Sequence, residues 1–245
     1  VRNNNKRILT ILPVIGWLSR TENLGSVLLL FQVLFYLLTC PFFPHKIRND
    51  MYLALKRASD IVLSLLGIIA LFPLGIIISA MIFIENRRPI FFIQERVGKA
   101  GKVFKIYKFR SMIKNAERHS GPVWAIKDDP RITPIGRILR KTRLDELPQL
   151  FNVLRGEMSM VGPRPERPEF VDMLKQKIPD YPKRLQLKPG LTGLAQVNHR
   201  YDTCIDDVRK KLACDFEYMK KQSLLLDLTI FAKTVNVILT GKGAH

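Results

Sequence analysis

Marked as apolar and polar positions, the chain separates into a membrane-like stretch and a basic remainder. Ile61 to Ile84 is 24 residues without a charge. As one straight helix it would measure about 36 Å, enough to cross a hydrocarbon core of roughly 30 Å. Pro73 stands near its centre, where a helix loses a hydrogen bond and is forced to bend. Arg48, Lys56 and Arg57 precede the run, and Arg87 and Arg88 follow it. A crossing helix would leave basic residues on both faces, against the positive-inside bias. A helix that enters, breaks at Phe72-Pro73 and leaves on the same face keeps them together. A kinked crossing is the alternative, because proline is tolerated in spanning helices. Asp60, heading the run, is expected to cap it or to pair with Arg57 or Lys56.

A second uncharged stretch, LGSVLLLFQVLFYLLTCPFF from Leu24 to Phe43, is 20 residues long and is a transmembrane candidate. Ile8 to Leu18 is apolar but interrupted by Pro13 and Gly16; it lies in the interface or completes a hairpin with its neighbour. No clean small-x-small site follows, so a cleavable signal peptide is not expected. The start at Val1 reflects an unusual start codon or a piece of something longer. The expected organisation is a hydrophobic extension over 1–50, a helix–break–helix membrane element over 51–88, and a cytosolic domain with interfacial helices over 89–245.

Beyond the apolar run the periodicity changes. PIFFIQERVGKAGKVFKIYKFRSM, Pro89 to Met112, has two partly alternating stretches around a glycine-containing turn and predicts a β-hairpin. Short helices are expected near Ile113 to His119, Leu150 to Leu154 and Glu166 to Ile178. Two more, about Asp206 to Lys221 and Ser223 to Leu239, close the chain, the last apolar enough to be buried or to lie on a bilayer. The fold class is therefore an α+β membrane protein, mostly helical with a small β-hairpin.

Charge then narrows the partners. The 245 residues carry 40 Lys and Arg against 21 acids, a net +19, which excludes an ordinary soluble metabolic enzyme as the default. Asn86 to Arg143 alone holds 16 of those cations and 4 acids. Basic charge directly after an apolar run points to an anionic lipid surface. Three widely spaced cysteines form no framework, and the four histidines never fall at metal-ligand spacing, so zinc chemistry is not expected.

Within this basic neighbourhood lies TRLDELPQLFNVLRGEMSMVGPRPE. Asp145 and Glu146 are adjacent, with Arg137, Arg140, Lys141, Arg143, Arg155, Arg164 and Arg167 within 30 residues. Gathered guanidinium groups can hold phosphates in bidentate fashion. They should also lower carboxylate pKa values and keep both acids ionised. An ionised aspartate in a phosphate site serves as nucleophile or Mg²⁺ ligand. Asp129, before Pro130, is either a turn former or a site residue. No GxxxxGK[ST] or kinase signature is present, which argues against ATP chemistry. The residues alone thus reach phosphoryl transfer at a membrane surface. A non-catalytic module binding nucleic acid or anionic lipid would also explain the charge and the apolar run, but leaves the acid pair without a purpose.

KRASDIVLSLLGIIALFPLGI, QERVGKAGKVFKIYKFRSM, DDPRITPIGRILRKTRLDELPQLFNVLRGEMSMVGPRPERPEF, KPGLTGLAQVN and LTGKGA follow one another over residues 54–244. In these motifs the chain resembles the bacterial sugar transferases, monotopic polyprenyl-phosphate phosphoglycosyl transferases that begin exopolysaccharide, capsule and O-antigen assembly. The resemblance implies transfer of a hexose-1-phosphate from a UDP-sugar to undecaprenyl phosphate, with release of UMP, at the cytoplasmic face of a bacterial inner membrane. It implies Asp145 as nucleophile through a covalent phosphosugar intermediate, with Mg²⁺ required. Glu146 would bind metal with Asp145 or position the lipid phosphate. The Pro-Arg-Pro element falls on Pro163, Arg164 and Pro165 and would present Arg164 to the nucleotide. Arg143, Arg155 and Glu166 are the further substrate candidates, with Arg110 and Asp129 as outlying ones. Phe72 stands where many relatives have serine, yet the re-entrant break at Pro73 is retained. PERPEF and SGPVWA (Ser120 to Ala125) look like the exopolysaccharide branch, where glucose or galactose is the common cargo. A nucleic-acid partner is not implied, and a homodimer stays open.

Overall fold

The computed structural model describes residues 45–116, 121, 129–199 and 204–240. The transmembrane candidate Leu24–Phe43, the stretch Ile8 to Leu18 and the SGPVWA motif beyond Gly121 lie outside the described residues. The chain divides into two compact units, Val1–Leu55 and Lys56–His245; in the first only the helical segment from His45 is described.

Helix α1, His45–Asn86, carries the apolar run and continues through Pro73. The expected break at Phe72-Pro73 is therefore not an interruption of the helix. Proline removes one N–H, a loss that membrane-type helices tolerate. Asn49–Asn86 is long and apolar enough to cross a membrane.

From Lys56 onward α1 is tied at both ends to the same unit. Lys56 Nζ donates to Asp227 Oδ2 at 2.7 Å and to the Tyr218 hydroxyl at 3.1 Å. Arg57 donates to the carbonyls of Val153 and Leu154 at 2.7 and 2.8 Å, near a helix end, where carbonyls have spare acceptor capacity. Asp60 is buried and accepts from Ser159 Oγ at 3.0 Å and Met160 N at 2.8 Å. This corrects the expected pairing with Lys56 or Arg57: both neighbours are engaged elsewhere, and Asp60 instead satisfies a buried N–H. At the far end Glu85 Oε1 accepts from Ile135 N, and the Asn86 and Arg87 carbonyls accept from Arg110 Nη2. Between these ties Ile78 and Ile82 are buried against Phe109 and Leu139. Val62, Leu66, Ile69, Phe72, Ile76 and Ile77 form an exposed apolar face on the other side. Helical spacing separates the two faces.

Strands β1 (Phe91–Val97) and β2 (Val103–Phe109) make the predicted antiparallel hairpin, with Phe91 opposite Phe109 and Val97 opposite Val103. The helix expected from Ile113 is corrected where it is described: Lys114 to Ala116 form a turn, with Asn115 at φ 57°. Helix α2, Pro134–Lys141, starts behind the Thr133 cap, whose side chain accepts from Gly136 N. Gly136 is required there, because a Cβ would collide with the Ser111 carbonyl. A 3₁₀ turn, Leu144–Glu146, separates α2 from α3, Gln149–Arg155.

Short strands β3 (Ser159–Val161) and β4 (Gly190–Thr192) pair in parallel, a sheet not read from the sequence. Between them lie α4, Pro168–Lys177, and a 3₁₀ segment, Tyr181–Gln186. Helices α5 (Leu194–Asn198), α6 (Ile205–Lys221) and α7 (Leu224–Thr240) follow. The central core joins Ile106, Leu150, Val153, Met158, Met160, Val161, Tyr218 and Ile230. Helix α7 thus buries Ile230 while Leu225 and Leu228 stay exposed, which places one of its faces inside and leaves the other outward.

Candidate active site

Arg143 turns the chain from α2 into the 3₁₀ turn in a left-handed conformation, φ 59° and ψ 13°. A non-glycine residue there costs on the order of 1–2 kcal/mol. The turn delivers Asp145 and Glu146 to the wall of a cavity of about 930 Å³, where both are buried. Ten lysine and arginine side chains share that lining with four carboxylates.

The two adjacent acids are treated differently. Glu146 Oε1 accepts from Arg164 Nη2 at 2.7 Å and Lys108 Nζ at 2.9 Å. Burial opposes its ionisation, but Arg164 and Lys108 outweigh that and hold the carboxyl well below the usual glutamate range. Asp145 moves the other way. Burial, and then the Glu146 charge beside it, push its pKa up, with Lys108, Arg140 and Arg143 pulling back. The expectation that the surrounding cations depress both acids is thus corrected for Asp145. Desolvation wins there, and Lys108, the cation acting most strongly on Asp145, is bonded to Glu146 instead.

Arg164 comes from the Pro-Arg-Pro segment, which is pinned on three sides. The Pro163 carbonyl accepts from Gly190 N at 2.8 Å, the Arg164 carbonyl from Arg184 Nη2 at 2.9 Å, and the Pro165 carbonyl from Arg96 Nη1 at 3.2 Å. Glu166 lines the cavity and lies 3.7 Å from Arg96 Nη1. Arg143 is in the lining as well.

At the α1 end of the cavity, Arg110 is buried, and its Nη1 has no hydrogen-bond partner among the described residues. Beside it Arg140 Nε donates to Ser111 Oγ at 2.8 Å. Asp129 is buried in the lining too, held below the ordinary aspartate range by hydrogen bonds from Arg131. It therefore acts as the partner that fixes Arg131. Arg155 is the candidate not brought in: it is exposed, donates to the Tyr107 hydroxyl at 3.0 Å and lies over that ring, outside the lining. Its position at the end of α3 turns it toward the hairpin's other face. His199 is exposed at the margin of the lining.

Lys108 was missed as a site residue. It was visible only as one of several hairpin lysines, and β2 does not alternate cleanly, since Ile106 and Phe109 are both buried.

Among the described residues no three Asp, Glu, His or Cys side chains converge as a metal site. Mg²⁺ commonly takes only one or two carboxylates and completes its shell with water and substrate phosphates. Asp145 and Glu146 fit that mode.

The pinned arginine and the cation-lined cavity around the acid pair are suited to holding phosphate groups. The chain matches the bacterial sugar transferase family over residues 51–241. It belongs to that family. An Aeromonas hydrophila UDP-N-acetylgalactosamine-undecaprenyl-phosphate N-acetylgalactosaminephosphotransferase is 46% identical over 197 residues, covering 80% of this chain and 46% of that protein. A Bacillus subtilis protein provisionally named undecaprenyl-phosphate N-acetylgalactosaminyl 1-phosphate transferase is 54% identical over 155 residues, 63% of this chain and 82% of its own. The exopolysaccharide production protein ExoY of Sinorhizobium fredii is 37% identical over 204 residues, 78% of this chain and 88% of its own. The chain thus spans less than half the length of the first relative and most of the other two. This sugar transferase carries the membrane-like helix of a membrane-associated family.

Proposed function

We propose that the protein transfers a sugar-1-phosphate from a UDP-sugar to undecaprenyl phosphate and releases UMP. The observation that carries this reading is the buried Asp145–Glu146 turn in a cavity rich in cations, within the same unit that grips α1. Ionised Asp145 attacks the β-phosphorus of the nucleotide sugar. An O–P bond to the carboxylate forms, the bond to the bridging oxygen breaks, and UMP leaves. An oxygen of the lipid phosphate then attacks the same phosphorus and frees Asp145. Each step replaces one difficult transfer by an easier one and gives ping-pong kinetics.

Arg164 and Arg143 meet the nucleotide phosphates. Arg110, with its spare N–H, and Arg140 face the acceptor phosphate at the α1 end. Mg²⁺, held by Asp145 and Glu146, would offset the repulsion between an anionic nucleophile and an anionic phosphate. Glu146 fixes Lys108 and Arg164 beside the reacting centre.

In this reading helix α1, though uninterrupted, bends at Pro73 so that it enters and leaves the bilayer on one face. Its polar ties at Lys56, Arg57 and Asp60 and at Glu85 and Asn86 all reach one unit, whereas a straight crossing would put about 40 Å between them. Cysteines placed at the exposed positions Ala58 and Arg88, in a cysteine-free background, are expected to react with an impermeant reagent from the cytoplasmic side only. Labelling of the two from opposite sides would establish a crossing.

For the sugar, the relatives at 46% and 54% identity are named for N-acetylgalactosamine, while glucose and galactose transferases are 39–40% identical. We therefore place UDP-N-acetylgalactosamine first, with UDP-glucose and UDP-galactose as the second reading. With purified protein, Mg²⁺ and undecaprenyl phosphate, one of these should release UMP at least tenfold faster than the others. Release of no UMP from any of them would remove the assignment.

A further inference from the structure

We infer that Arg184 and Asp215, distant in sequence from the acid pair, are a positioning pair that holds Arg164 against Glu146. The inference rests on the reading above, in which Arg164 meets the nucleotide. Arg184 Nε donates to Asp215 Oδ2 at 2.8 Å, its Nη1 to the Tyr181 hydroxyl at 2.9 Å, and its Nη2 to the Arg164 carbonyl at 2.9 Å. Three edges of one guanidinium are thus engaged by three segments: α6, the 3₁₀ segment and the Pro-Arg-Pro loop. Both members of the pair are buried, with side-chain exposures of 9% and 4%.

A buried ion pair is a poor source of net stability, since desolvating two charges offsets most of their attraction. What it does supply is a fixed geometry. A guanidinium is a rigid planar fork, so anchoring two edges on Asp215 and Tyr181 aims the third at one point. That point is the backbone of Arg164, whose own side chain reaches Glu146 at 2.7 Å. A displacement at Asp215 is therefore transmitted through three hydrogen bonds to the carboxylate beside Asp145. The flanking prolines help, because fixed φ angles leave the loop little freedom to absorb such a shift.

The test is a double-mutant cycle in full-length protein in nanodiscs, reading kcat/KM for UMP release. Asp215→Asn keeps the shape of the side chain and removes its charge. It is expected to lower kcat/KM about tenfold in the wild-type background and less than twofold in an Arg164→Ala background. Tyr181→Phe, which deletes only the hydroxyl contact, should act in the same direction with about a threefold loss. Equal factors in both backgrounds would show a general structural role and overturn the inference. Hydrogen exchange provides a readout free of catalysis. The amides of Gly162, Arg164 and Glu166 should exchange about tenfold faster in Asp215→Asn while those of the hairpin do not change; unchanged exchange at these three would also overturn it. Should Arg164→Ala itself keep wild-type activity, the role given to Arg164 falls, and the exchange data alone decide whether the brace exists.

Discussion

Asp145→Asn is expected to abolish turnover while raising the melting temperature. The amide matches the carboxylate in size, so the 3₁₀ turn and the cavity wall are retained. It carries no charge with which to attack phosphorus, and loss of a covalent nucleophile typically costs a factor of about 10³ or more. UMP release should fall below detection, and the phosphosugar adduct expected by intact mass in the wild type should be missing. Near-normal release by this variant would dispose of the nucleophile assignment.

The stability half of that prediction follows from the sign of the shift. Burial and Glu146 raise the Asp145 pKa in the folded state. A raised value means that folding favours the protonated form. The contribution is fully present below the ordinary aspartate range and is lost as pH rises through the raised folded value. Where Asp145 is ionised, the wild type therefore carries a buried charge it would be more stable without. Asparagine removes that charge, so the variant should melt a few degrees higher at pH 7. The gain should vanish when both proteins are melted at acid pH. Strain or unfavourable charge retained at a reacting group is a common form of the trade between stability and activity.

Features that repeat along the chain were legible in it. The uncharged run named α1, the turn in VGKAGK named the hairpin, and the closing helices followed from their apolar spacing. The acid pair stood out because so many arginines surround it. Features made by few residues far apart were not legible. Strands β3 and β4 have three residues each and join Ser159 to Gly190 and Val161 to Thr192; neither shows an alternation long enough to register. Arg184 and Asp215 are 31 positions apart and each looks like a surface charge until the fold removes the water. The density of arginine around the pair also misled, since proximity in sequence said nothing about which cation reaches which acid. Arg155 turns away to Tyr107, while Lys108 arrives from the hairpin. The opposite shifts of two adjacent carboxylates depend on that distribution.

Glu146→Gln tests the distribution directly, and its expected effects oppose those at the neighbouring position. The Glu146 pKa is depressed, so its charge contributes stability that is present above the ordinary glutamate range and lost as pH falls through the lowered folded value. Removing it leaves Lys108 and Arg164 to share one neutral oxygen. Breaking a fully buried pair costs about 3–5 kcal/mol, but the Arg164 side chain is 34% exposed, and water recovers part of the loss. A destabilisation of roughly 2 kcal/mol is expected, read as a lower melting temperature at pH 7. Asp145 meanwhile loses the repulsion of its neighbour and keeps the attraction of Lys108, Arg140 and Arg143, so its pKa falls. In the proposed mechanism the first half-reaction needs ionised Asp145, so its acid limb should move to lower pH. The rate on the plateau should drop about 10–100-fold, because a less basic carboxylate is a weaker nucleophile and Arg164 is no longer held. UMP itself should bind more tightly, since two cations are released to a phosphate. Rapid-quench measurement of UMP formation across pH, with UMP affinity by calorimetry, separates these effects. An acid limb that stays in place or moves up would show that Glu146 does not set the Asp145 charge.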